Sequence, residues 1–205
     1  RMLLSSTLFS LKLNSQERPE FERRILSGSW SYMWSKRKED IHKLDILDLN
    51  YIYVPWISET FKKEYLDSVS NRNSILKYNY ENQLITKLGY TLSYNSSLDE
   101  SKRMERTAIS AKAGIEFSGN MLYLFNLSCN SSKNADGQYT VANIAYAQYC
   151  KIDGDVTSRT KFDDKNSLVL HVGIGYARPY GNSWILPFDK RYFAGGANGL
   201  RGWTV

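Results

Sequence analysis

The chain lacks any run of eighteen apolar residues, so no helix in it can cross a membrane. It has little else that marks a function. There are two histidines, His42 and His171, far apart in sequence, and neither an H-E-x-x-H nor a G-x-S-x-G pattern occurs. The glycine-rich stretch near the end has no Lys-Ser/Thr to make it a phosphate loop. No pair of carboxylates stands out. These absences point away from an enzyme and away from any cofactor or metal. His171 reads as a polar residue facing an aqueous interior rather than as a catalyst. The two cysteines, Cys129 and Cys150, are too few for a disulfide framework and match no zinc spacing. One disulfide in an oxidising compartment and two separate thiols both fit. No signal-peptide pattern is present. Arg1 and Val205 both read as cuts inside a longer protein.

Mean hydropathy is −0.47 and the net charge is +6. Lys and Arg are spread along the whole chain among Asp and Glu, with no basic helix, so nucleic acid is not an expected partner. Low mean hydropathy does not exclude a membrane barrel, because alternating strands average to a polar value.

What is present is alternation. Period-two patterning predicts strands near 5–16, 21–35, 41–54, 77–95, 106–118, 143–161 and 167–178. In the first, Phe9, Leu11 and Leu13 oppose Ser10, Lys12 and Asn14. In the second, a serine row (Ser27, Ser29, Ser31, Ser35) opposes Leu26, Trp30, Tyr32 and Trp34, a clustering that suits a membrane–water boundary. Leu44 and Ile46 spoil the alternation of the third, and Pro55 is expected to end it. The last strand is the clearest: Leu168, Leu170, Val172, Ile174 and Tyr176 make an apolar row, opposite Ser167, His171, Gly173, Gly175 and Ala177. Gly173 and Gly175 leave room for something to lie against that wall. Residues 58–68 suit a short helix that Ser58 could cap, and 121–125 a single helical turn inside a long loop.

Each strand spans roughly 10–18 residues, against about five or six in globular proteins and about 9–11 for a tilted membrane strand. Short charged turns (36–40, 162–166) alternate with long connections (55–73, 119–141), the pattern of short periplasmic turns and long extracellular loops. The short turn 17–20 and the longer 96–105 depart from it. The fold class is therefore all-β, part of an antiparallel transmembrane β-barrel, forming one partial domain over 1–205 with a loop from 179 to 205.

That loop carries Leu186-Pro187-Phe188, then Tyr192-Phe193-Ala194-Gly195-Gly196-Ala197-Asn198, then Leu200-Arg201-Gly202-Trp203. It resembles the signature sixth extracellular loop of the BamA/TamA-type outer-membrane assembly barrels, the bacterial surface antigen family, whose tip carries an aliphatic–Arg–Gly–aromatic motif. The resemblance implies a barrel of about sixteen strands, with the seven here as strands five to eleven. It implies that the loop folds into the lumen, with Leu200, Arg201, Gly202 and Trp203 bracing the wall and Gly195, Gly196, Gly173 and Gly175 supporting it. It further implies an outer-membrane protein of a Gram-negative bacterium that inserts client barrels through a lateral seam without nucleotide hydrolysis. Its partners would be the lipid bilayer, unfolded client proteins, and accessory lipoproteins or periplasmic chaperones. Arg201, always charged and suited to bidentate pairing, needs an anionic or carbonyl partner inside a lumen. The alternatives are a two-partner-type secretion pore, which shares the motif, and a passive porin or soluble β-protein.

Overall fold

The structure is a computed structural model and describes residues 4–67, 80–99, 106–128, 133–134 and 137–192. Seven long strands form one antiparallel sheet: β1 (Leu4–Glu17), β2 (Phe21–Ser35), β3 (Asp40–Ile57), β4 (Gln83–Asn95), β5 (Thr107–Ser118), β8 (Tyr149–Lys161) and β9 (Ser167–Pro179). They pair in the order β1-β2-β3-β4-β5-β8-β9, each with its neighbour in the chain apart from an inserted small hairpin, β6 (Thr140–Val141) and β7 (Ile144–Ala145). The architecture is all-β, an open arc with β1 and β9 at its edges, as part of a barrel wall would be.

Register carries the alternation across the whole arc. Phe9 faces Trp30, Leu11 faces Gly28 and Leu13 faces Leu26. The row continues through Leu47, Leu49 and Tyr51 on β3, Leu88, Tyr90 and Leu92 on β4, and Ala113, Ile115 and Phe117 on β5. It ends on β9 at Val172, Ile174 and Tyr176. We call this the outer face. The opposite, inner face carries Ser10, Ser29, Asp48, Lys87, Glu116, Asp153 and Gly175.

Bulges explain the two irregularities in β3. Trp30 pairs with Leu47 but Ser31 pairs with Asp45, so Ile46 is the extra residue and Leu44 and Leu47 both keep to the outer face. Pro55 does not end β3, which runs on to Ile57. It falls at a second shift, between Glu22–Trp56 and Arg24–Tyr53, where a residue without an N–H is tolerated. The strand expected over 143–161 begins only at Tyr149; before it the chain makes the β6–β7 hairpin, turned by Ala142 (φ 50°) and Asn143 (φ 65°). The strand expected over 77–95 begins only at Gln83; Tyr80, Glu81 and Asn82 before it form a turn, and 77–79 lie outside the described residues.

The expected single turn at 121–125 is a helix, α2 (Asn120–Ser128). The helix near 58–68 is a short α1 (Glu59–Phe61) that widens into a π-helical stretch, Lys62–Asp67; the Ser58 side chain does not cap it and bonds Thr60 instead, at 3.1 Å.

A core in the globular sense hardly exists. The buried hydrophobic residues among those described are Ile52, Ile85, Tyr146, Ala147 and Tyr149. All but Tyr146 form one cluster at the long-loop end, joined by Ile25, Val54 and Leu186. The outer rows stay bare: Phe9 is 71% exposed, Leu11 79% and Ile174 75%. Water would penalise such a surface at about 25 cal/mol per Å2.

Candidate functional site: the loop-bearing inner face

Charged strand residues on the inner face neutralise one another in a chain of short contacts. Lys87 Nζ lies 2.9 Å from Asp48 and 3.5 Å from Glu116. Lys43 pairs with Asp45 at 2.7 Å, and the Ser31 hydroxyl donates to the same carboxylate at 2.7 Å. The serine row supplies a ladder beside them: Ser10 and Ser29 are bonded at 2.8 Å, and Ser27 donates to Asn50 at 2.6 Å. The Tyr149 hydroxyl donates to Glu116 at 2.5 Å. Each of these polar groups thus has a partner on the same wall.

Onto this wall folds the segment after β9. Pro187 is buried, and the 3-10 turn Phe188–Lys190 presents two charges to the sheet. Lys190 Nζ reaches Glu116 at 3.0 Å and Asp189 meets Arg23 at 3.4 Å. Arg191 Nε donates to the Leu186 carbonyl at 2.9 Å. Tyr192 then packs directly on Gly175: a Cβ there would stand 2.5 Å from Tyr192 Cε1. Its hydroxyl donates to the Asp153 carboxylate and approaches the Ile152 carbonyl at 3.2 Å, while Lys151 Nζ sits 4.6 Å from the ring centroid.

A buried polar knot fixes where this segment begins. Gly181 has φ +58° and leaves the space Gln148 fills. Gln148 Oε1 accepts from the Asn182 amide at 2.8 Å, and the Gln148 amide donates to Ser183 Oγ at 2.8 Å. Asn182 in turn holds the β6–β7 hairpin, accepting from the Tyr139 amide at 2.6 Å and donating to the Tyr139 carbonyl at 2.9 Å and the Tyr146 carbonyl at 3.1 Å.

Of the residues singled out from sequence, Gly175 is in contact with Tyr192. Gly173 faces Asp155, whose Oδ1 would lie 3.1 Å from an added Cβ. Gly195, Gly196, Leu200, Arg201, Gly202 and Trp203 lie outside the described residues, as does Cys129. Cys150 is a free, half-buried thiol. His171 is on the inner face, 60% exposed at its side chain, bonded to Thr157 at 3.0 Å and 3.3 Å from Asp155. His42 is on the outer face, stacked on Trp34 at 5.2 Å and bonded to the Tyr90 hydroxyl at 2.6 Å. No helix among the described residues is long and apolar enough to cross a membrane, which says nothing of crossing by strands.

The sequence reading did not single out Glu116, Lys190, Tyr192, Asp153 or the Gln148–Asn182 knot. Strand parity assigns Glu116 and Asp153 to the polar face, but not the loop residues that meet them.

Fold and site together define a class: an antiparallel barrel-wall arc whose inner face carries the segment that follows its last strand, as far as Tyr192. The profile of the Omp85 superfamily domain matches residues 146–205, which takes in β8, β9 and the loop and agrees with the BamA/TamA-type resemblance. Members of that superfamily are outer-membrane proteins of assembly and secretion. No curated protein and no solved structure matches the chain.

Proposed function

We propose that the chain is part of an outer-membrane assembly barrel that folds and inserts client β-barrel proteins through a lateral seam, with no nucleotide hydrolysed and no covalent chemistry of its own. The observation that carries this reading is the docked segment 186–192. A passive pore needs an open lumen, whereas Lys190 and Tyr192 are tied by ionic and hydrogen bonds to residues of β5 and β8. The outer rows supply the lipid contact, and burial of client strands in the bilayer supplies the driving force. The setting is the outer membrane of a Gram-negative bacterium, and the partners are the bilayer, unfolded clients, and accessory lipoproteins or periplasmic chaperones.

A two-partner-type secretion pore shares the loop motif and is the second reading. Reconstitution of the full-length protein in liposomes separates them. Acquisition of protease resistance by several unrelated client barrels supports assembly. Translocation of one dedicated polypeptide, with no effect on clients, supports secretion. Arg201→Ala should slow client assembly several-fold; unchanged assembly with unchanged barrel stability would count against a bracing role for the loop tip. Large, steady single-channel conductance would favour a porin.

A further inference from the structure

Helix α2 holds its apolar side away from the protein. Its nine residues, Asn120-Met121-Leu122-Tyr123-Leu124-Phe125-Asn126-Leu127-Ser128, contain no charge. At 100° per residue, Met121, Leu124 and Phe125 form one stripe at i, i+3 and i+4. In a helix packed on a water-soluble protein that stripe would face inward. Here Met121 is 66% exposed, Leu124 63% and Phe125 61%, whereas Asn126 is buried. The protein-facing side carries the buried Asn126 with the half-buried Leu122 and Tyr123 beside it, and Tyr123 packs edge-on against Tyr139 with centroids 5.8 Å apart. The helix is inverted relative to water.

Its position explains the inversion. Gly119 (φ +76°) turns the chain directly out of β5, and its amide donates to the Thr86 carbonyl at 2.8 Å. The first turn is thereby pinned to the sheet. Met121 shares a recess with Leu47, Leu88 and Phe117, all residues of the outer face. The stripe is thus continuous with the apolar rows of β3, β4 and β5, at the end of the sheet where the long loops lie.

We infer that α2 is an interfacial helix, lying in the outer leaflet with Met121, Leu124 and Phe125 among lipid chains and Tyr123 and Asn126 towards the loops. The occupant of this face is bilayer lipid, because the face extends the surface that lipid covers on the strands. The inference therefore rests on the barrel reading. The absence of Lys and Arg leaves apolar burial, rather than attraction to anionic headgroups, as its basis. A membrane-fixed helix beside β4 and β5 would also hold the β6–β7 loop region at a set height above the bilayer.

The test is spin-label depth measurement on the full-length protein in phosphatidylcholine vesicles, with Cys129 and Cys150 changed to serine. Labels are placed singly through Leu124→Cys and Phe125→Cys. Val172→Cys on the strand face and Asp164→Cys in the β8–β9 turn serve as lipid and water references. Collisions with oxygen and with a water-soluble nickel chelate should place 124 and 125 about 5–10 Å into the headgroup–acyl boundary. Nickel access equal to that at Asp164→Cys would overturn the inference, and so would protection from both reagents, which would mean a protein covers the stripe. If Val172→Cys is itself exposed to nickel, the barrel reading fails with it. If Val172→Cys reports lipid and 124 and 125 do not, only the helix inference fails.

Discussion

Substituting the strand glycines one at a time tests whether the segment after β9 is held on the wall by fit. At Gly175 an added Cβ would stand 2.5 Å from Tyr192 Cε1 and 2.7 Å from its hydroxyl, so Gly175→Ala must push the ring off. The ring then loses its bond to Asp153. A hydrogen bond to a charged group is worth about 1.5–3 kcal/mol. Because Tyr192 is 48% exposed, about half of that is the appropriate figure. Replacing a strand glycine by alanine also returns about 0.5–1 kcal/mol of backbone entropy, but that acts on the folding of β9 and is common to the docked and undocked states. The loss is therefore about 1 kcal/mol, or about fivefold in the ratio of docked to undocked segment. Gly173→Ala meets the movable end of Asp155 at 3.1 Å and His171 Nε2 at an ordinary 3.5 Å, and should be near neutral. Gly154→Ala, on the outer face with nothing within 4 Å, is the control. Hydrogen exchange reads the outcome directly. The Lys190 and Arg191 amides are bonded within the segment, to Pro187 at 3.0 Å and Phe188 at 3.2 Å. They should exchange about fivefold faster in Gly175→Ala, and at the original rate in Gly154→Ala. Identical rates in the two variants would refute docking by fit.

Three further outcomes follow from single contacts. Glu116→Gln leaves Lys190 without its carboxylate and Lys87 with Asp48 alone; with side chains only 16–18% exposed, the loss should be about 2 kcal/mol, seen as a lower temperature for the mobility shift on unboiled gels, with Lys190→Ala costing less. Gly119→Ala forces a Cβ to 2.5 Å from the Ala147 carbonyl at φ +76°, so it should cost at least about 2 kcal/mol and loosen α2, checked by proteolysis of the 119–148 region. In the β8–β9 turn, hydrogen bonds from the Asn166 side chain and the Lys165 and Asn166 amides hold Asp163 below the usual carboxylate range. A depressed value means the turn is stabilised above the unfolded carboxylate pKa and loses this as pH falls through the folded one, so acid should speed Asn166 amide exchange relative to an Asp163→Asn variant.

The strands were legible because each face has a different solvent, and alternation records that. β2 was readable end to end, since its serines and its Trp and Tyr residues never exchange faces. Reading failed where one residue breaks the period for a three-dimensional reason. Ile46 is unreadable alone; it becomes a bulge only when Trp30 and Ser31 are seen to skip it. Pro55 signals an end in any local reading, and only the matching register shift opposite Arg23 lets β3 continue. The inner-face site was half legible. Gly175 shows a gap in the wall, but the ring that fills it comes from Tyr192, seventeen positions on. Gln148 and Asn182 are ordinary polar residues by type, and their knot exists only because β9 returns the chain beside the start of β8.

On the outer-membrane reading, the spacing of the outer aromatic residues sets a preferred membrane thickness for the arc. Trp34 stacks with Tyr32 and His42 at one end of β2. Tyr51 and Tyr53, paired with Leu26 and Arg24, stack at the other. Trp34 to Leu26 is eight residues, a rise of about 27 Å along the strand. At the usual barrel tilt of about 40° this becomes roughly 20 Å across the bilayer, against an apolar band of about 25 Å in such barrels. If the aromatic clusters mark both interfaces, bilayers of short-chain lipid should fold the full-length protein faster and hold it more firmly than bilayers of long-chain lipid. Moving one cluster should move that optimum. With Trp34→Leu, Tyr32→Leu and His42→Leu together, the apolar row lengthens towards the β2–β3 turn and the preferred chain length should rise. A folding yield that does not vary with chain length, or an optimum that stays put in the triple variant, would mean the clusters serve packing between strands and not the membrane boundary.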